Sequence, residues 1–117
     1  MKIEQGDILW MRRKLPAGSE PGGSRPVVVV QNNVFNASRL NTVVCCALTT
    51  NLKRAASPGN VLLKRGEGNL PGASVVNVIQ VVTIDKSAFG EKLGTLGKAR
   101  VREILDGMRL LLEPRDL

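Results

Sequence analysis

The 117-residue chain falls within the ~100–200 residues usual for one domain, and its seventeen Lys and Arg against ten Asp and Glu leave a net charge of +7. It holds no His, no Tyr, one Trp, two Phe and two Cys, which excludes imidazole acid–base catalysis, Ser-His-Asp and Cys-His nucleophiles and four-ligand zinc sites. Any catalysis must run on carboxylates, hydroxyls, amides and cations, and the positive excess is consistent with a polyanionic partner.

In chain order, Asp7-Ile8-Leu9-Trp10-Met11 reads as an opening strand. Arg12-Arg13-Lys14 follows, and then residues 15–26 hold three glycines and three prolines. That segment is a loop longer than a hairpin connection, of the kind that tends to carry function. Val27-Val28-Val29-Val30 is β-branched throughout and suits a strand buried on both faces. The Asn-rich stretch 32–41 fits a turn with one short helical turn. Residues 42–50 form a second deeply apolar strand, in which Cys45 and Cys46 point to opposite faces as buried free thiols.

Ser57-Pro58-Gly59-Asn60 marks a turn, Val61-Leu62-Leu63 a short strand, and residues 64–72 another loop. Residues 74–85 supply one long or two short strands, with Asn77 and Gln80 as polar interruptions, and Lys92-Leu93-Gly94-Thr95-Leu96 one more. Only the tail has helical periodicity. Val101, Ile104, Leu105, Met108, Leu111 and Leu112 build one apolar face, Lys98, Arg100, Arg102 and Arg109 lie off it, and Pro114 ends the helix. With no repeat and no linker, residues 1–117 read as one mainly β domain, a small bent antiparallel sheet or barrel with a C-terminal amphipathic helix. No apolar stretch approaches the ~18 residues of a membrane span, and the first residues lack the apolar core of a signal peptide. A cytoplasmic chain with no membrane partner is expected.

Candidate chemistry gathers in the loop before Pro26, which offers Ser19, Glu20 and Arg25. A guanidinium presents a fixed fork of donors to the non-bridging oxygens of a phosphate, and a carboxylate can take a proton from a ribose 2′-OH. Residue types alone fit an ordinary solvated loop as well. Thr49 and Thr50 end a buried strand, where a hydroxyl could reach a bound phosphate or simply cap the strand. Lys53 and Arg54, with Arg12, Arg13, Lys14, Lys64 and Arg65, fit either phosphate steering or a solvated surface.

Five segments, in order, resemble the MazF/PemK family of toxins from toxin–antitoxin pairs, which are sequence-selective endoribonucleases. They are Gly6-Asp7-Ile8-Leu9-Trp10, residues 18–32, Ala47-Leu48-Thr49-Thr50, Ser57-Pro58-Gly59-Asn60-Val61, and residues 74–86. Asn33 departs from the acidic residue that many relatives carry there. The resemblance implies an SH3-like β-barrel of the CcdB/MazF type acting as a homodimer, with RNA bound across the subunit groove. It also implies an mRNA interferase that needs no metal or other cofactor, cleaves single-stranded RNA to a 2′,3′-cyclic phosphate and a 5′-hydroxyl, and is held by a MazE-like antitoxin with an acidic tail. Carried over by position, the essential arginine falls on Arg25, the essential threonine on Thr49 and an acidic position on Glu20, while Ser19 and Gln80 match substrate contacts and Thr50 neighbours them. The competing expectation is a non-enzymatic toxin like CcdB, which poisons DNA gyrase by binding it.

Overall fold

The computed structural model describes residues 1–12 and 25–115. Six antiparallel strands make one sheet: β1 (Asp7–Met11), β2 (Pro26–Val29), β3 (Thr42–Thr49), β4 (Val61–Leu63), β5 (Ser74–Asp85) and β6 (Phe89–Thr95), in the order β4-β5-β3-β2-β1-β6. Helix α1 (Asn33–Asn36) follows β2, and α2 (Lys98–Leu112) closes the chain. The sheet is mainly β and strongly bent as expected, but its ladders run open from β4 to β6. The last strand begins at Phe89, three residues ahead of the expected start, and turns of 3-10 helix form at Leu52–Ala56, Glu67–Asn69 and Lys86–Ala88.

Both faces of the central strands are buried, which is why the Val run shows no alternation. One face carries Ile8, Val28, Cys46, Leu48 and Val76, packed against Ile104 of α2. The other carries Leu9, Val27, Val29, Cys45, Ile84 and Phe89, where the far ends of the sheet curl over. The two open edges meet without a ladder. The turn at Glu67–Asn69 sits on β6, with Asn69 Nδ2 donating to the Leu93 carbonyl at 2.8 Å. A Cβ on Gly94 would come within 2.7 Å of the Gly68 carbonyl oxygen, so the seam needs a glycine there.

Helix α2 crosses the Ser57-Pro58-Gly59-Asn60 turn at Gly107, where a Cβ would overlap the Gly59 carbonyl oxygen. The expected apolar face of α2 is buried only in part. Ile104 is inside, whereas Leu111 and Leu112 run past the sheet and are exposed. With Phe35 (53% exposed), Leu112 (74%) borders an open apolar groove between α1 and α2, lined by Val30, Val44, Leu105 and Met108.

Cys45 and Cys46 are free, buried and divided between the two faces, as expected. Burial, and secondarily the neighbouring Cys46, pushes the Cys45 thiol above its ordinary range. Burial alone raises Cys46 to about 11. Folded values above unfolded ones mean that both thiols' stabilising contribution is complete below about pH 8.5; that of Cys46 is lost as pH rises through about 11, while that of Cys45 keeps declining beyond it. Urea midpoints are therefore expected to fall above about pH 9, and to fall less in a Cys45→Ala/Cys46→Ala chain; equal slopes in the two would contradict this.

Candidate functional site

Strands β2 and β3 pair Val27 with Ala47, Val28 with Cys46 and Val29 with Cys45. Continuing that register two residues past Val27 sets Arg25 opposite Thr49, with both side chains leaving the same face. The residues singled out for a guanidinium and a hydroxyl thus converge, though 24 positions apart in the chain. Both line one cleft of about 150 Å³ at the end of the sheet, together with Trp10, Thr50 and Ser74.

Local chemistry fixes each of these groups. Arg25 precedes a proline, which biases it to extended backbone, and Pro26 pairs with Trp10 of β1. Thr49 is 6% exposed, and its Oγ1 accepts the Asn51 N–H at 3.1 Å. The acceptor bond sets the rotamer while the hydroxyl proton remains available as a donor. Asn51 in turn caps the turn Leu52–Ala56, its Oδ1 accepting the Lys53 N–H at 3.3 Å. Asn60 anchors the same turn to the sheet: its Nδ2 donates to the Arg54 carbonyl and its Oδ1 accepts the Val78 N–H. Lys53 and Arg54 are thereby held just beyond the cleft with exposed side chains.

Other expected residues lie elsewhere. Gln80 sits in a bulge of β5, where the ladder slips between Cys46 (opposite Val81) and Ala47 (opposite Asn77), and it does not line the Arg25–Thr49 cleft. Ser19 and Glu20 fall outside the described residues. Among the described lining residues there is no carboxylate. Asp7, the acid of the first strand, is buried and engaged with Lys92 Nζ at 2.9 Å, Thr95 Oγ1 at 2.7 Å and the Glu4 N–H at 2.8 Å. At ~3.3 Å per residue it stands roughly 10 Å along β1 from Trp10, and its role is to join β1 to β6.

Sequence reasoning missed three residues. Trp10, the single tryptophan, faces the cleft although aromatics were discounted. Ser74 begins β5 beside it, buried, with Oγ donating to the Gly72 carbonyl at 3.1 Å. Asn77 stands opposite Ala47, one step along the face from Thr49, and its Oδ1 is buried without a partner among the described residues. An isolated amide inside an apolar strand was the available signal for Asn77, whereas nothing local marks Trp10 or Ser74.

The opposite wall of the cleft, Leu70, Pro71 and Gly72, hangs from the turn after β4. Glu67 in that turn is held by Arg100 of α2, and its carboxyl lies below the ordinary value because of the Arg100 hydrogen bonds first and the Lys64 N–H second. No cluster of three His, Cys, Asp or Glu side chains that could hold a metal ion occurs among the described residues, and none of their helices is long and apolar enough to cross a membrane.

Comparison with known proteins finds relatives along nearly the whole chain. Residues 4–112 match the sequence family described as PemK-like, MazF-like toxin of type II toxin–antitoxin system. Endoribonuclease MazF6 of Mycobacterium tuberculosis is 39% identical over 113 residues, covering 97% of this chain and 99% of that protein. Endoribonuclease MazF of Staphylococcus saprophyticus is 31% identical over 110 residues, covering 94% and 91%. Among solved structures, a mycobacterial endoribonuclease in complex with its cognate antitoxin superposes with a TM-score of 0.75 at 25% identity, over 97% of this chain and 99% of that one. MazF from Deinococcus radiodurans gives 0.74 at 25% identity, over 96% and 97%.

Proposed function

Because the chain belongs to the PemK-like, MazF-like toxins of type II toxin–antitoxin systems, we propose that the Arg25–Thr49 cleft is where it cuts single-stranded RNA. The observation that carries this reading is that Arg25 and Thr49 line one cleft, where continuation of the β2–β3 register would bring them. The names of the curated relatives compared above, endoribonucleases both, favour cleavage over gyrase binding.

The reaction we assign is transesterification. The ribose 2′-oxygen attacks the adjacent phosphorus, a P–O2′ bond forms and the P–O5′ bond breaks, leaving a 2′,3′-cyclic phosphate and a 5′-hydroxyl. Arg25 and the Thr49 hydroxyl donate to the non-bridging oxygens, on which negative charge grows in the phosphorane. The 2′-OH proton needs a base. A guanidinium stays protonated and offers no acceptor, so Glu20 takes the proton and Arg25 is the candidate acid for the departing 5′-oxygen. Ser19, Thr50 and Gln80 are assigned to substrate binding, Trp10 offers a stacking face at the cleft mouth, and Ser74 a second hydroxyl. Fragments produced from RNA are expected to accept a kinase-transferred 5′-phosphate without prior phosphatase treatment; 5′-phosphate ends would refute the scheme.

Lys53 and Arg54 steer the strand. Each phosphate neutralised on single-stranded RNA contributes about −0.7 to the slope of log K against log salt. Replacing both residues by alanine is expected to flatten that slope by about 1.4, whereas an unchanged slope assigns them to solubility. The acidic tail of a MazE-like antitoxin would compete for the same cations. A homodimer is part of this reading, and we assign its contact to the apolar groove between α1 and α2, where Phe35 and Leu112 stand uncovered. We place the chain in the cytoplasm, as one domain over residues 1–117.

A further inference from the structure

Besides Arg25, Thr49 and their strand neighbours, the cleft is lined by Leu70, Pro71 and Gly72. All three follow directly from the turn after β4, in which three residues take positive φ. Gly66, Gly68 and Asn69 adopt φ of +92°, +53° and +60°, and such a conformation at a non-glycine residue needs fixing by its surroundings. Within the turn, Gly66 N donates to Leu70 O, Asn69 N to Gly66 O and Leu70 N to Glu67 O. Outside it there are three ties: the buried Leu70 side chain, Asn69 Nδ2 on the Leu93 carbonyl, and Glu67.

Glu67 makes the most directional tie. Arg100, in the first turn of α2, meets it with two parallel bonds, Nε to Oε1 at 2.8 Å and Nη2 to Oε2 at 3.0 Å. The same carboxylate accepts the Lys64 N–H at 2.6 Å. It therefore bridges the exit of β4 to the helix. Both side chains are about a quarter exposed, and ion pairs so exposed add little to global stability. What this one supplies is a fixed distance and angle between α2 and the turn that ends in the cleft wall.

We propose that the Glu67–Arg100 pair is a positioning device for the cleft, setting Leu70, Pro71 and Gly72 at the spacing from Arg25 and Thr49 that a bound strand requires. The proposal rests on the reading of that cleft as the RNA-cleaving site. Glu67 and Arg100 act through the wall and touch no reacting atom.

The test uses the full chain with Glu67→Gln or Arg100→Gln, read by steady-state cleavage of single-stranded RNA and by Trp10 emission. Trp10 lines the same cleft and is the only tryptophan, so its spectrum reports the wall directly. Either variant is expected to lower kcat/KM about tenfold, chiefly through KM, and to shift Trp10 emission to longer wavelength. Arg100→Lys, which keeps the charge but not the fork, falls between, and carries the test alone if Arg100→Gln does not fold. Glu103→Gln removes the neighbouring Arg100–Glu103 pair and is expected to behave as wild type. Unchanged kcat/KM and an unchanged spectrum in both glutamine variants would overturn the proposal, as would a lowered melting temperature with neither readout moved. If wild-type protein left RNA intact, the reading of the cleft would fail instead, and the Trp10 spectra would still decide whether the pair sets the wall.

Discussion

Arg25→Ala is expected to cut RNA about 10²–10³-fold more slowly than wild type, the loss typical of removing one preorganised donor from a site where negative charge develops. The Arg25 backbone is placed before substrate arrives. Pro26 restricts its backbone, the β2–β3 register sets it across from Thr49, and the cleft keeps it half-buried. Such a donor need not reorganise as the phosphorane forms, and the partly water-excluded site strengthens its effect. Arg25→Lys is expected to recover only part of the rate, because an ammonium is a point charge and cannot span two oxygens as the fork does. Thr49→Val loses one hydrogen bond and the smaller share of rate. Thermal unfolding checks that each variant is folded; near-wild-type cleavage by folded Arg25→Ala would remove the residue from the mechanism.

The other large effect belongs to the substrate. Replacing the single 2′-OH at the scissile position by hydrogen is expected to abolish cleavage there, since the nucleophile itself is gone. Binding is expected to persist, because the proposed roles of Arg25, Thr49, Lys53 and Arg54 are contacts to phosphate and not to the sugar hydroxyl. The modified strand then acts as a competitive inhibitor whose affinity falls with salt. Equal cleavage of the two strands, by gel, would mean that water or another group attacks phosphorus.

Much of this was legible in the residues. Four consecutive valines announced a strand buried on both faces, and the i, i+3, i+4 pattern from Val101 onward announced α2. Adjacent cysteines on opposite faces followed from the strand period alone. What stayed hidden was set by contacts distant in sequence. Phe89 joins β6 because the buried face beside Leu9 takes an aromatic, and Gly90 ahead of it carried no strand signal. Leu111 and Leu112 obey the helical period, but the sheet ends before them, so periodicity overstated the buried face.

The site divides the same way. Arg25, Thr49 and Thr50 were readable as residue types beside a strand, yet their convergence depends on a register that no local pattern prints. Trp10 read only as part of the opening strand, and Ser74 as a strand start. The Ser57-Pro58-Gly59-Asn60 motif, in turn, serves the fold: Gly59 admits α2 at Gly107, and Asn60 ties the Lys53–Arg54 turn to β5.

The most direct test incubates purified wild-type and Arg25→Ala proteins with a long RNA in excess EDTA and maps the new 5′-hydroxyl ends. Wild type is expected to cut at a recurring short sequence with chelator present, and folded Arg25→Ala to leave those positions intact. RNA left whole by wild type, or the same cuts made equally by both proteins, would contradict the assignment of RNA cleavage to the Arg25–Thr49 cleft.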